Sequence, residues 1–201
     1  MAGFSVNVSK TDLAEVERTM TGIKNGYPKV VSRSLNRTLT GVRTDAVKEI
    51  GKVITPRAKT IRSTFTIKKA SFRNLTAAVK STGGPLPLIE YKARATKKGV
   101  TVQVKKKSSR SLWPGAFIAT MPSGHKGIFS RKKPPYRTNR SPKLPWKRFP
   151  RKFRLEIHEQ FGPRVPDIME NAEVINPILQ KAWDRLLREL NHQIDFELSK
   201  L

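Results

Sequence analysis

Residues 28–54, PKVVSRSLNRTLTGVRTDAVKEIGKVI, constrain the fold more than any other stretch of this chain. Apolar residues fall at Val31, Leu35, Leu39, Val42, Ala46, Ile50 and Val53, in steps of three or four. That spacing predicts one helix of about seven turns with a single apolar stripe. Pro28 suits the first helical position, where the missing N–H has no intrahelical partner to lose. Thr55-Pro56 ends the pattern, because the residue before proline is pushed out of helical space. The opposite face carries Arg33, Asn36, Arg37, Thr40, Arg43, Thr44 and Lys48. This helix is a spine that must bury its stripe against a second layer, expected to be a sheet. Its basic face is expected to be solvated.

The other elements follow from simpler patterns. Ser9 caps a first helix with the stripe Leu13, Val16, Met20 and Ile23, ended by Gly26. A short helix is expected from Thr55-Pro56 to about Ser63. The period then changes to two. Phe65 and Ile67, then Leu75, Ala77 and Val79, alternate with polar residues. Ile89, Tyr91 and Ala93, followed by Val100, Val102 and Val104, read as a hairpin with one apolar and one basic face. Residues 105–112 read as an exposed loop, 116–119 as a buried strand, and 121–127 as a loop. A short helix over Asp167–Ile175 and a restart at Asn176-Pro177 are expected. The final stripe is Leu179, Ala182, Trp183, Leu186, Leu190, Ile194 and Leu198. The fold class is therefore α+β, in a single domain over 1–201. Its parts are a helical pair (1–54), a short helix with an antiparallel sheet (55–131), a basic Pro-rich arm or loop (132–154) and C-terminal helices (155–201).

Charge narrows the function. The net charge is +26, and it is unevenly placed. Residues 50–155 hold 28 Lys/Arg and one acid, Glu90, whereas 156–201 hold five Lys/Arg and nine Asp/Glu. A middle of this sign repels itself unless something anionic lies against it. Nucleic acid or an acidic protein surface is expected rather than a membrane, since no basic amphipathic helix of the lipid-surface type is present. The first ten residues lack a secretory pattern and no apolar run is long enough to span a bilayer, so a soluble protein made in the cytoplasm is expected. With no cysteine, thiolate metal sites and cysteine nucleophiles are excluded.

Residues 132–154, KKPPYRTNRSPKLPWKRFPRKFR, hold five prolines and ten Lys/Arg with no acid. Proline at this density forbids helix interior and central strand. Aromatic residues interleaved with cations suit stacking on bases or ordering against a partner. Candidate nucleic-acid contacts are Lys105, Lys106, Lys107, Arg110, Arg131, Lys132, Lys133, Arg137, Arg140, Lys147, Arg148, Arg151 and Lys152. Candidate oligomer or partner contacts are Trp146, Phe149, Phe153, Asp184 and Glu189.

Nothing in the chain reads as catalytic. His125, His158 and His192 are far apart and none has a neighbour at metal spacing. His125 lies in the glycine loop Ser123–Gly127 with no carboxylate nearby in sequence, so a structural hydrogen bond is expected of it. No enzyme activity, cofactor or metal is expected.

Three blocks, SRSLNRTLTGVRTDAVKEI, PGAFIATMPSGHKGIFSRK at 114–132 and LEIHEQFGPRVP at 155–166, occur in order. Together they resemble the prophage minor tail protein Z family, the tail completion proteins of long-tailed phages. The 132–154 arm is longer and more basic than that family's pattern. The resemblance implies a non-enzymatic virion component, made in the host cytoplasm and seated at the head-proximal end of the tail. It implies a homo-oligomer, expected as a hexameric ring. Implied partners are the tail terminator or tail tube protein, the head–tail connector proteins and double-stranded DNA in the channel. Composition alone supports an alternative, a general nucleic-acid-binding protein of ribosomal or architectural type.

Overall fold

A computed structural model describes residues 2–6, 10–19, 26–131 and 156–200. The fold is α+β, and the chain divides into two compact units. The first comprises residues 1–85 and 163–201, the second 86–162.

The spine is the helix α2. It follows the strand β1 (Ala2–Val6) and the helix α1 (Lys10–Thr19), and spans Gly26–Val53. It begins two residues before Pro28, so Gly26 opens this helix rather than closing the previous one. Val31, Leu35, Leu39, Val42, Ala46 and Ile50 are fully buried, as their spacing predicts. The helix α3 (Ala58–Ser63) leads into β2 (Phe65–Lys68) and β3 (Ala77–Ser81). β3 is the centre of an antiparallel sheet of order β1-β3-β2, with Phe4 opposite Val79 and Ile67 opposite Val79 on the other side. Sequence patterning did not find β1. Asn36 ties the chain after β2 to the spine: its amide donates to the Ala70 carbonyl (3.0 Å) and its Oδ1 accepts from the Ala70 N–H (2.8 Å).

The spine's chief partner is not the sheet. It is α5 (Ala172–Leu198), reached through the short helix α4 (Val165–Met169). The expected restart at Pro177 does not occur, because α5 runs through it. Val174 and Ile178 lie on either side of that proline and both are buried, so packing holds the helix across the lost hydrogen bond. The stripe of α5 also differs from expectation. Val174, Ile178, Ala182, Leu186, Leu190, Gln193 and Glu197 face inward, whereas Leu179, Trp183 and Leu198 are about two-fifths exposed.

Ion pairs account for that rotation. Lys29 and Arg33 hold Glu197 at 2.9 and 2.7 Å, and Arg37 lies 3.5 Å from Glu189. Farther along the spine, Arg185 approaches Asp45 at 2.8 Å without hydrogen-bond alignment, and Lys181 holds Glu49 at 2.7 Å. Among the residues that pair across the two helices, cations thus precede acids along each helix. The pattern is satisfied only when the two run antiparallel in this register. Small residues let them approach. Ser34 Oγ donates to the Val30 carbonyl (2.9 Å) and reaches the Glu189 carbonyl of α5 (3.1 Å). Gly41 lies under the Arg185 side chain, where any Cβ would collide with it.

Two of these acids make the first unit acid-sensitive. A hydrogen bond from Lys181, and then one from Lys52, hold Glu49 below the ordinary glutamate range. Lys29 does the same for Glu197. A depressed folded pKa means the unfolded chain takes up protons first as pH falls. The stabilisation is therefore present above about pH 4.3 and is lost as pH drops through the folded values. Denaturant midpoints should fall on acidification below about pH 5, and Glu49→Gln with Glu197→Gln should flatten that dependence.

Among its described residues the second unit holds two three-stranded antiparallel sheets. β4 (Arg94–Thr96), β5 (Gly99–Val102) and β6 (Ser111–Pro114) form the first. β7 (Phe117–Thr120), β8 (Lys126–Arg131) and β9 (Ile157–Glu159) form the second, in the order β7-β8-β9. The strand expected over 89–94 is instead a 3-10 turn at Leu88–Glu90, and the hairpin strand starts at Arg94. That shift buries Tyr91 completely, and burial raises its hydroxyl pKa. The end of the expected 105–112 loop is strand β6.

Candidate partner and nucleic-acid interface

The basic surface of the second unit is built by the β5–β6 connection. Lys105, Lys106 and Lys107 are all exposed, at the end of β5 away from the tight turn Lys97-Lys98. The loop that carries them is held. Gln103 Nε2 donates to the carbonyls of Lys106 (3.2 Å) and Ser108 (3.1 Å), and the Ser108 N–H closes on the Lys105 carbonyl (3.2 Å). Arg110 donates to the Thr101 carbonyl at 2.9 Å and to the Lys92 carbonyl. This candidate contact therefore spends its guanidinium inside the unit and positions the loop. Three lysines are left on a braced turn, with Arg94 also exposed on β4. Such a cluster suits phosphate oxygens as point charges rather than as a planar fork. Gln103 was not singled out from sequence, since a lone glutamine carries no pattern.

Arg131 ends β8 with its guanidinium 5.7 Å above the Phe117 ring, and Phe117 packs on Phe129. His125 does have a carboxylate partner: its Nε2 lies 2.8 Å from Glu159 Oε1. The expectation of none fails because Glu159 arrives from β9, 34 residues away, which pairs with β8, the strand that His125 immediately precedes. Gly127 makes room for that pair, as a Cβ there would meet the Glu159 carboxylate. The arrangement is a cross-strand clasp. Among the described residues no group of three His, Cys, Asp or Glu is placed to hold a metal ion. No described helix is long and apolar enough to cross a membrane.

The candidate partner residues are divided. Asp184 is exposed on α5, while Glu189 is turned toward Arg37 of the spine. The spine's basic face is only partly free: Arg33 and Arg37 are paired, and Lys48 is exposed. Lys132, Lys133, Arg137, Arg140, Lys147, Arg148, Arg151 and Lys152, with Trp146, Phe149 and Phe153, lie outside the described residues.

A helix pair locked by charge and a small β unit presenting a braced basic loop describe a protein of surfaces, made for contact. Residues 12–198 match the family of prophage minor tail protein Z (GPZ), and the chain belongs to that family. It is thus a structural protein of phage tails. No curated protein and no solved structure matches the chain.

Proposed function

We propose that this protein completes the tail at its head-proximal end, as a ring of six copies that joins tail to head. The observation that carries the reading is family membership over nearly the whole chain. Its partners on this reading are the tail terminator or tube on one side and the head–tail connector on the other. The basic surface meets the DNA that passes through, or acidic faces of those neighbours. Particles assembled without the protein should give full heads and tails of normal length that join poorly. Short tails, or absence of the protein from finished particles, would place it elsewhere.

The exposed Lys105–Lys107 turn favours DNA as one ligand of the basic surface. Each phosphate contact releases counterions, so log K should fall with log salt by about 0.9 per contact. Neutralising all three lysines should reduce that slope by about 2.7. An unchanged slope would move the contacts to other cations.

A further inference from the structure

Most acids of the helix pair are used within it. Asp45, Glu49, Glu189 and Glu197 all face cations of the partner helix. The corner formed by α4 and the start of α5 is different. Asp167, Glu170 and Glu173 are exposed there, with no ion pair among the described residues. The stretch Val165–Gln180 holds these three acids and no Lys or Arg.

The opposite imbalance occurs farther along α5. Arg37, Arg185, Arg188, Glu189 and His192 line a cleft of about 390 Å³. Three guanidinium groups share it with one carboxylate. Arg185 is held by Asp45, and Arg37 only reaches Glu189 at 3.5 Å. Arg188 gives its Nε to the Asp184 carbonyl (3.2 Å), and its terminal nitrogens have no acceptor among the described residues. A guanidinium in that state is a fork waiting for a carboxylate.

We infer that the acidic corner of one copy docks in the arginine cleft of the next, its carboxylates meeting Arg188 and Arg37. This rests on the reading of the protein as an assembling tail component. The cleft has room for one or two acidic side chains. A phosphodiester strand needs a run of cations, which Asp45 and Glu189 interrupt here. Glu173 and Arg188 are fifteen residues apart on one helix, about 22 Å. The two surfaces do not overlap, so each copy engages a neighbour at both. That contact is heterologous and closes into a ring or runs on as a filament.

The chain has no cysteine, so introduced thiols are unique. Asn176→Cys marks the acidic corner and Asn191→Cys the cleft; both positions are exposed. The full chain carrying both should give a ladder of cross-linked species with a short bismaleimide, in solution and in finished tails. The two single variants mixed should give a dimer, and each alone only background. Arg188→Glu or Glu173→Arg should cut cross-linking at least about tenfold. Asn191→Cys/Arg188→Glu mixed with Asn176→Cys/Glu173→Arg should recover it. Single variants that cross-link alone as well as when mixed would overturn the inference. So would a ladder indifferent to Arg188→Glu, or Arg188→Glu that weakens only DNA binding. A ladder from the double-cysteine chain, together with normal joining of particles assembled without the protein, would sink the proposed position and leave the contact standing. A joining defect with no ladder would do the reverse.

Discussion

Leu39→Ala and Leu186→Ala each lower the unfolding free energy by about 2–5 kcal/mol. Both side chains are fully buried, one on each of the two long helices that pack together. Truncation loses their transfer energy and leaves a cavity between elements that the ion pairs hold at fixed register, so collapse is limited. Leu179→Ala is the control. Its side chain is 41% exposed, and its loss should cost well under half as much. Denaturant melts of the three variants decide the rotation of α5. Equal costs at Leu179 and Leu186 would mean that the helix faces the other way.

Gly99→Ala unfolds or loosens the β4-β5-β6 sheet. Gly99 opens β5 with φ +146°, a conformation that side chains rarely adopt. A Cβ there would run into the Trp113 carbonyl oxygen and lie 3.0 Å from the Pro114 α-carbon, both on the β6 strand that pairs with it. Those atoms are backbone and cannot swing aside. Dihedral strain of about 1–3 kcal/mol adds to a similar overpacking cost. Hydrogen exchange at Val100–Val102 should speed up. The salt slope of DNA binding should weaken with it, since β5 and β6 carry the lysine turn. Gly51→Ala, at a helical position with nothing within 4 Å, should be neutral or stabilising by up to about 1 kcal/mol. Unaltered exchange in Gly99→Ala would mean that β5 and β6 do not pair this closely.

Elements whose signal is local were legible. The spine stripe predicted the burial of Val31, Leu35, Leu39, Val42, Ala46 and Ile50, because a three-or-four step is a property of the helix itself, while Val53 at its end is only half-buried. The β3 strand was visible for the same reason. Elements that exist only through a distant partner were not. β1 needs β3, and β6 is a strand because it lies beside β5. Of the candidate contacts, the exposure of Lys105–Lys107 followed from composition. The bracing by Gln103 and Arg110 did not, nor did the His125–Glu159 clasp, since each joins segments that sequence spacing cannot relate.

α5 shows where the division falls. Its sequence carries two adjacent apolar stripes at helical spacing, one through Leu179 and Trp183 and one through Ile178, Ala182 and Leu186. Periodicity determines that this stretch is an amphipathic helix, because hydrophobic burial rewards either stripe. It does not determine which stripe is buried, as the two differ little in apolar area. That choice belongs to the tertiary structure. Lys181, Arg185, Glu189 and Glu197 find opposite charges on α2 in only one rotation and one register, and burying Glu197 without Lys29 and Arg33 would leave it only the more distant Lys200 at 3.6 Å.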